Sequence, residues 1–313
     1  MISRCAILNN GVIIKLDFSF YNIKGVLTMK KLLTSLLFLL ILSAASLVQA
    51  APADTFQDAL QQQKDPTGHY TAVIDIHLAL LGKLTSTTNI DINAQPYIMH
   101  TTTSCVSEHQ KDKPKSTELY AEEITGAIRS YQEKTVNDKK QWVYKDEKLP
   151  DGKTAADLMN PAGLLESVKT VSALSENEQQ QTLQVVFDSS KMYDSSAAQH
   201  TAKLADKTYT DLIASLKDAG DVTANVVIDK KTGRLVSLQA DITKQTSCFT
   251  DAIVKGVMEQ YKAKGKSKNS ALEEEILSRM LKVQQSTLDV TFGPLTETPV
   301  IPSNIKKEAA KDK

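Results

Sequence analysis

Alternation of apolar and polar residues at period two dominates the chain from Tyr70 onward. In "YTAVIDIHLAL" the even positions are Ala72, Ile74, Ile76, Leu78 and Leu80, with Thr71, Asp75 and His77 between them. That is the pattern of a strand with one buried face. Beyond Gly82 the chain returns as "KLTSTTNIDINA", where Ile90 and Ile92 alternate against Asn89, Asp91 and Asn93, so 70–94 reads as a long hairpin. Pro96 opens a third strand, "YIMHTTTSC", and three shorter ones follow: "TELYAEEI", "AIRSYQEKT" and "KQWVYKD", the last carrying Trp142. Closely spaced strands with short polar turns predict an antiparallel meander.

At Thr154 the period changes. Leu158, Met159, Ala162, Leu165, Val168 and Val171 recur at three- and four-residue intervals, which predicts an amphipathic helix begun by a Thr or Asp cap. The strand "TLQVVFD" (182–188) comes next. A second helix is predicted from Ser196 to Ala219, with Leu204, Tyr209, Leu212, Ile213 and Leu216 on one stripe and Gly220 as its stop. The clearest hairpin is 222–243, with Val222, Ala224, Val226 and Ile228 on one arm, Val236, Leu238, Ala240 and Ile242 on the other, and Gly233 in the turn. A helical insert is predicted at 250–283, followed by a last strand, "STLDVTF", carrying Leu288, Val290 and Phe292. A short helix at 53–63, capped by Asp54 and stopped by "DPTG", precedes all the strands.

Upstream stands a different pattern. Lys30 and Lys31 precede a run from Leu32 to Val48 broken only by Thr34, Ser35, Ser43 and Ser46, and closing on Val48-Gln49-Ala50. A basic start, an apolar middle and small residues at the cut describe a secretory signal peptide over 29–50, cleaved after Ala50. The run is shorter than the roughly 20 apolar residues that a spanning helix needs. Residues 1–28 are then expected to lie upstream of a true start at Met29, the alternative being that they lengthen the basic region, and 51–313 are expected to form the mature chain as a single domain. No cysteine near the cut is placed to carry a lipid anchor. The expected location is the periplasm or cell envelope, with secretion as the alternative.

Composition narrows the partners. Cleavage leaves 32 basic and 36 acidic residues, a net charge of −4. Nucleic acid and anionic membrane surfaces are held by basic patches, so neither is expected. Cys105 and Cys248 each end a similar text, "TTTSC" and "KQTSC", at the close of a strand-like run. In an oxidising compartment the pair reads as a disulfide between adjacent strand ends, the alternative being two buried thiols.

Catalytic constellations are missing from the text. The histidines are His69, His77, His100, His109 and His200, none in a His-Glu-x-x-His arrangement, and His100 and His109 read as loop residues, not as a metal pair. Glu122 and Glu123 point to opposite faces of a strand, and Glu273-Glu274-Glu275 fit the wet side of a helix. General acid–base chemistry needs carboxylates that converge. No enzyme, cofactor or metal is therefore expected.

Ten or so antiparallel strands interrupted by helices predict an α+β fold, in which a large curved sheet buries one face under those helices. Most of 53–309 resembles the LolA/LppX-like exported carriers. The resemblance rests on "YTAVIDIHLALLGK", the strand series 118–146 ending in "KQWVYKD", "NPAGLL" at 160–165, "VVIDKKTGRLVSLQADIT" at 226–243 and "VIPSNIKKEA" at 300–309. It implies an open half-barrel lidded by helices, and a non-enzymatic carrier for a lipid or a lipoprotein acyl chain. This chain differs from the lipoprotein members in lacking a lipidated cysteine, and from compact members in its 250–283 insert. No ligand contact carries over by position. Candidate cavity residues are Ile74, Ile76, Ile90, Ile92, Trp142, Val226, Ile228, Leu238, Ile242, Leu288, Val290 and Phe292. A second reading is a filled half-barrel that binds an envelope protein through its sheet edge or the insert.

Overall fold

In a computed structural model, residues 5–7, 13–15, 51–108, 115–136, 139–158, 165–194, 217, 219–263 and 270–311 are described. The segment 29–50 lies outside them, as do His109, His200 and the stripe residues of the helix expected at 196–219. Strands β1 (Cys5–Ile7) and β2 (Ile13–Lys15) pair as a small antiparallel ribbon. The other described strands form one sheet.

That sheet has twelve strands: β3 (Gly68–Leu78), β4 (Gly82–Ala94), β5 (Tyr97–Ser107), β6 (Lys115–Ile124), β7 (Ala127–Val136), β8 (Lys139–Lys148), β9 (Val168–Glu176), β10 (Gln180–Phe187), β11 (Val222–Asp229), β12 (Leu235–Asp241), β13 (Val283–Gly293) and β14 (Ala310–Lys311). Their order is β14-β8-β7-β6-β5-β4-β3-β13-β12-β11-β10-β9, antiparallel throughout except where β14 lies parallel to β8. The fold is α+β, one large open and curled sheet with a few helices, as the alternation predicts. Twist and curl are what a sheet of this breadth requires.

Two runs of sequence-adjacent hairpins make up the sheet, and one long-range pairing joins them. Gly82, Gly126 and Gly233 turn three of the hairpins with φ of 72°, 69° and 65°, a region that residues with a Cβ resist. The join is β13 on β3, with Leu288 opposite Ile74 and Val290 opposite Ala72. The last long strand in the chain therefore sits at the middle of the sheet.

Among the described helices, those that reach the main core cover one face of the sheet, and the last lies on the other. The helices are α1 (Ala51–Gln62), α2 (Ala155–Leu158), α3 (Ser189–Asp194), α4 (Thr243–Ala263), α5 (Ser270–Met280) and α6 (Ser303–Glu308). The main core is the inner face of β3, β4 and β10–β13 with Phe56, Ala59 and Leu60 of α1 and Phe249 of α4. The expected insert begins earlier than 250. Asp241 Oδ1 accepts the Thr243 N–H at 2.9 Å, an acidic start that launches α4 directly from the end of β12.

One predicted helix is replaced in part by a strand. Among the described residues of the stretch from Thr154, Ala155–Leu158 are α-helical, and Val168 and Val171 lie on β9. β9 pairs with β10 through two irregularities, which leave Lys169 and Leu174 without a partner opposite. Each extra residue is a β-bulge, and bulges at a sheet margin also turn the edge away from further pairing.

Candidate functional site

Sheet parity decides which candidates meet. Ile74, Ile76, Ile90, Ile92, Val226, Ile228, Ile242, Leu288 and Val290 come together under the helices, each 0–3 % exposed. Leu238 and Phe292 pack half-buried against the same cluster, Phe292 edge-on to Tyr70 at 5.9 Å. Alternation places these residues on one side, as expected. The inner surface also includes residues the sequence reading did not assign to it: Leu183, Val185 and Phe187 of β10, and Phe56 and Leu60 of α1. Phe56, Ala59 and Leu60 recur at the i, i+3, i+4 spacing of a buried helix face, a signal present in the text.

Trp142 is elsewhere. Val143 takes the inner position on β8, so Trp142 belongs to a second cluster on the opposite face, with Tyr120, Tyr131, Tyr144, Ile98, Ile301 and Ile305. Its ring lies 5.9 Å from that of Tyr120, which stacks on His100 at 4.4 Å. The segment bearing α6 lies over this aromatic strip and is tied down by Lys306 to Glu122. His100 is thus a strand residue, bonded to Glu118 at 2.8 Å, and not a loop residue.

Nor do the cysteines meet. Cys105 lies on β5 opposite Ser86, but Cys248 lies within α4 and not at a strand end. The expected disulfide is not formed in this structure: both are thiols. α4 packs along β13, three strands away from β5.

Not all of the inner face is apolar. Along β4 and β5 it passes from Ile92, Tyr97 and Met99 to a row of hydroxyls, Ser86, Thr88, Thr101 and Thr103, each 2–3 % exposed. Thr88 and Thr103 bond to each other at 3.1 Å. Thr101 Oγ1 has no hydrogen-bond partner among the described residues. A buried hydroxyl left unsatisfied costs about 1–3 kcal/mol, and valine of nearly the same shape avoids that cost.

On the outer face, an open groove of about 320 Å³ is lined by Thr182, Asn225, Val227, Ser237, Gln239, Asp289 and Thr291 among others. Nearby, His69 Nδ1 lies 2.7 Å from Asp91 and its Nε2 lies 3.1 Å from Thr71 Oγ1. This resembles an acid, base and nucleophile in line, and it is not legible in the sequence because Asp91 is brought to His69 only by the β3–β4 register. Acyl transfer also needs donors for an oxyanion. β3 is laddered on both sides, to β4 and β13, so its backbone N–H groups are already engaged. The network is a cross-strand polar ladder on a wetted sheet. Glu122 and Glu123 do point apart: Glu122 accepts from Tyr131 on the outer face, and Glu123 accepts the Ala155 N–H at the start of α2. No cluster of three metal-ligating side chains occurs among the described residues, and no helix among them is long and apolar enough to cross a membrane.

Burial of phenols in this structure gives it an alkaline limit. Burial pushes the Tyr70 hydroxyl up to about 12, with the Asp65 charge adding to the effect and Arg234 opposing it. Burial raises Tyr97 further, again with help from an acid, Glu123. Unfolded tyrosine ionises near 10. The neutral form is thus favoured by folding, and its contribution is complete below pH 10 and falls as pH rises from 10 toward 12. Urea midpoints measured at pH 9, 10.5 and 11.5 should decline steadily, and the decline should be shallower in Tyr70→Phe.

No family model matches the chain, and no curated protein matches it.

Proposed function

We propose that the chain is an exported, non-enzymatic envelope protein that shelters a hydrophobic ligand, a lipid or acyl chain, between its curled sheet and its helices. The supporting observation is one continuous apolar surface spanning β3, β4 and β10–β13 that is roofed by helices, α1 foremost, and not by a second sheet. Roof and gutter are separate elements, so the roof is able to lift without dismantling the strand ladder. An acyl chain taking the place of Phe56 and Leu60 would gain roughly 0.8 kcal/mol per buried methylene, and no charged contact is required.

A second reading is favoured by the burial itself. Inner residues at 0–3 % exposure are already covered by the chain's own atoms, as in an ordinary core packed to crystal-like density. On that reading the protein is a filled half-barrel that acts on an envelope partner. Organic extraction of the purified protein followed by mass spectrometry separates the two. Stoichiometric lipid is expected for the sheltering reading. No lipid, together with no uptake of a hydrophobic dye, leaves the filled half-barrel.

A further inference from the structure

We infer that the hydroxyl row Ser86, Thr88, Thr101 and Thr103 is a head-group subsite, which selects ligands whose polar end is neutral and hydrogen-bonding over ligands ending in a carboxylate or phosphate. The inference rests on the sheltering reading above and adds to it the class of ligand.

The row lies on the same inner face as the apolar surface and is continuous with it along both strands: on β4 the order is Ser86, Thr88, Ile90, Ile92, and on β5 it is Thr103, Thr101, Met99, Tyr97. A ligand lying along that surface, with its chain against Ile90, Ile92 and Met99, brings its head to Thr101 and Thr103. The row contains one internal bond, between Thr88 and Thr103, and one buried hydroxyl, Thr101, that has none among the described residues. A hydroxyl held 3 % exposed with its hydrogen uncommitted is a donor waiting for an acceptor.

The chemistry of that acceptor follows from what surrounds it. Across the strands Thr101 faces Ile90 and Leu119, and Thr88 faces Ala72, so hydroxyls and hydrocarbon meet the head, with no charged side chain among these neighbours. An ester carbonyl, an amide or an alcohol is satisfied there. A carboxylate or phosphate at Thr101 would find no counter-charge among these cross-strand partners, and burying an unpaired charge is costly.

Competition against a bound hydrophobic dye tests this with two ligands of one chain length and different heads, monoolein and oleate. Monoolein should displace the dye at a concentration about tenfold lower than oleate, a difference of about 1.4 kcal/mol. Thr101→Val should weaken monoolein about fivefold to tenfold while leaving oleate unchanged, and its melting temperature should equal or exceed that of the wild type. Equal displacement by the two lipids overturns the inference. So does a Thr101→Val protein that melts several degrees lower and binds both lipids less well, since the hydroxyl is then part of the core. Failure to bind dye and both lipids overturns the sheltering reading itself, and this inference with it.

Discussion

Leu288→Ala should remove about 3–5 kcal/mol of folding stability, at the upper end of the range for truncating a buried leucine. Leu288 is fully buried, faces Ile74 on one side and Ala240 on the other, and sits at the seam where the two runs of hairpins meet. Collapse of the surroundings into the void is resisted there because both neighbouring strands are held in register by long ladders. Typical domains retain only about 5–15 kcal/mol in total, so the variant should lose a substantial share of its margin and unfold at a clearly lower urea concentration. Thr291→Ala, three residues along the same strand but on the exposed side, should change stability by no more than about 0.5 kcal/mol. Urea unfolding of the two variants checks this. Equal effects would mean that β13 does not separate a buried face from a wet one.

Phe56→Ala should lower stability by about 3–5 kcal/mol as well, but its second effect is the informative one. Phe56 is the residue by which α1 grips the gutter, 1 % exposed and edge-on to Phe187 at 6.2 Å. Removing the ring weakens the hold of a helix at one end of the described sheet-bearing chain and vacates the surface beneath it. If α1 is a roof over a ligand space, the variant should bind a hydrophobic dye in stoichiometric amount under conditions where the wild type binds less. If α1 is an ordinary core helix, stability falls with no gain in dye binding, because a single missing ring leaves a void too small for one. The two outcomes are read from dye titration and denaturation of the same sample, so loss of folding is not mistaken for loss of a site.

Hairpins were the most legible part of the sequence, and the reason is local. A turn glycine such as Gly82 or Gly233 and an alternating pattern on either side specify register, face and partner within some twenty residues. β9 was misread as helix because its bulges break the alternation. With Lys169 looped out, Val168 and Val171 fall three residues apart on a single strand, the spacing of a helix face. Trp142 is not a cavity residue, because it stands beside the inward Val143 and period two places it outward. Cys248 reads as a strand end because "DITKQTSC" continues a strand pattern in composition, whereas the turn into α4 is made by side-chain bonds of Asp241 and Thr243 that the composition does not announce.

Sequence alone determined that one face of a large antiparallel sheet is apolar and that helices must cover it, since period two and period 3.6 are written residue by residue. Only the tertiary structure decided that β13 returns from far along the chain to join β3, that the aromatic strip with Trp142 lies behind the sheet, and that Thr101 sits inside with no partner for its hydroxyl among the described residues. Those outcomes depend on which distant strands share a ladder and on how much volume the roof takes up. Neither quantity is a property of any short stretch of residues.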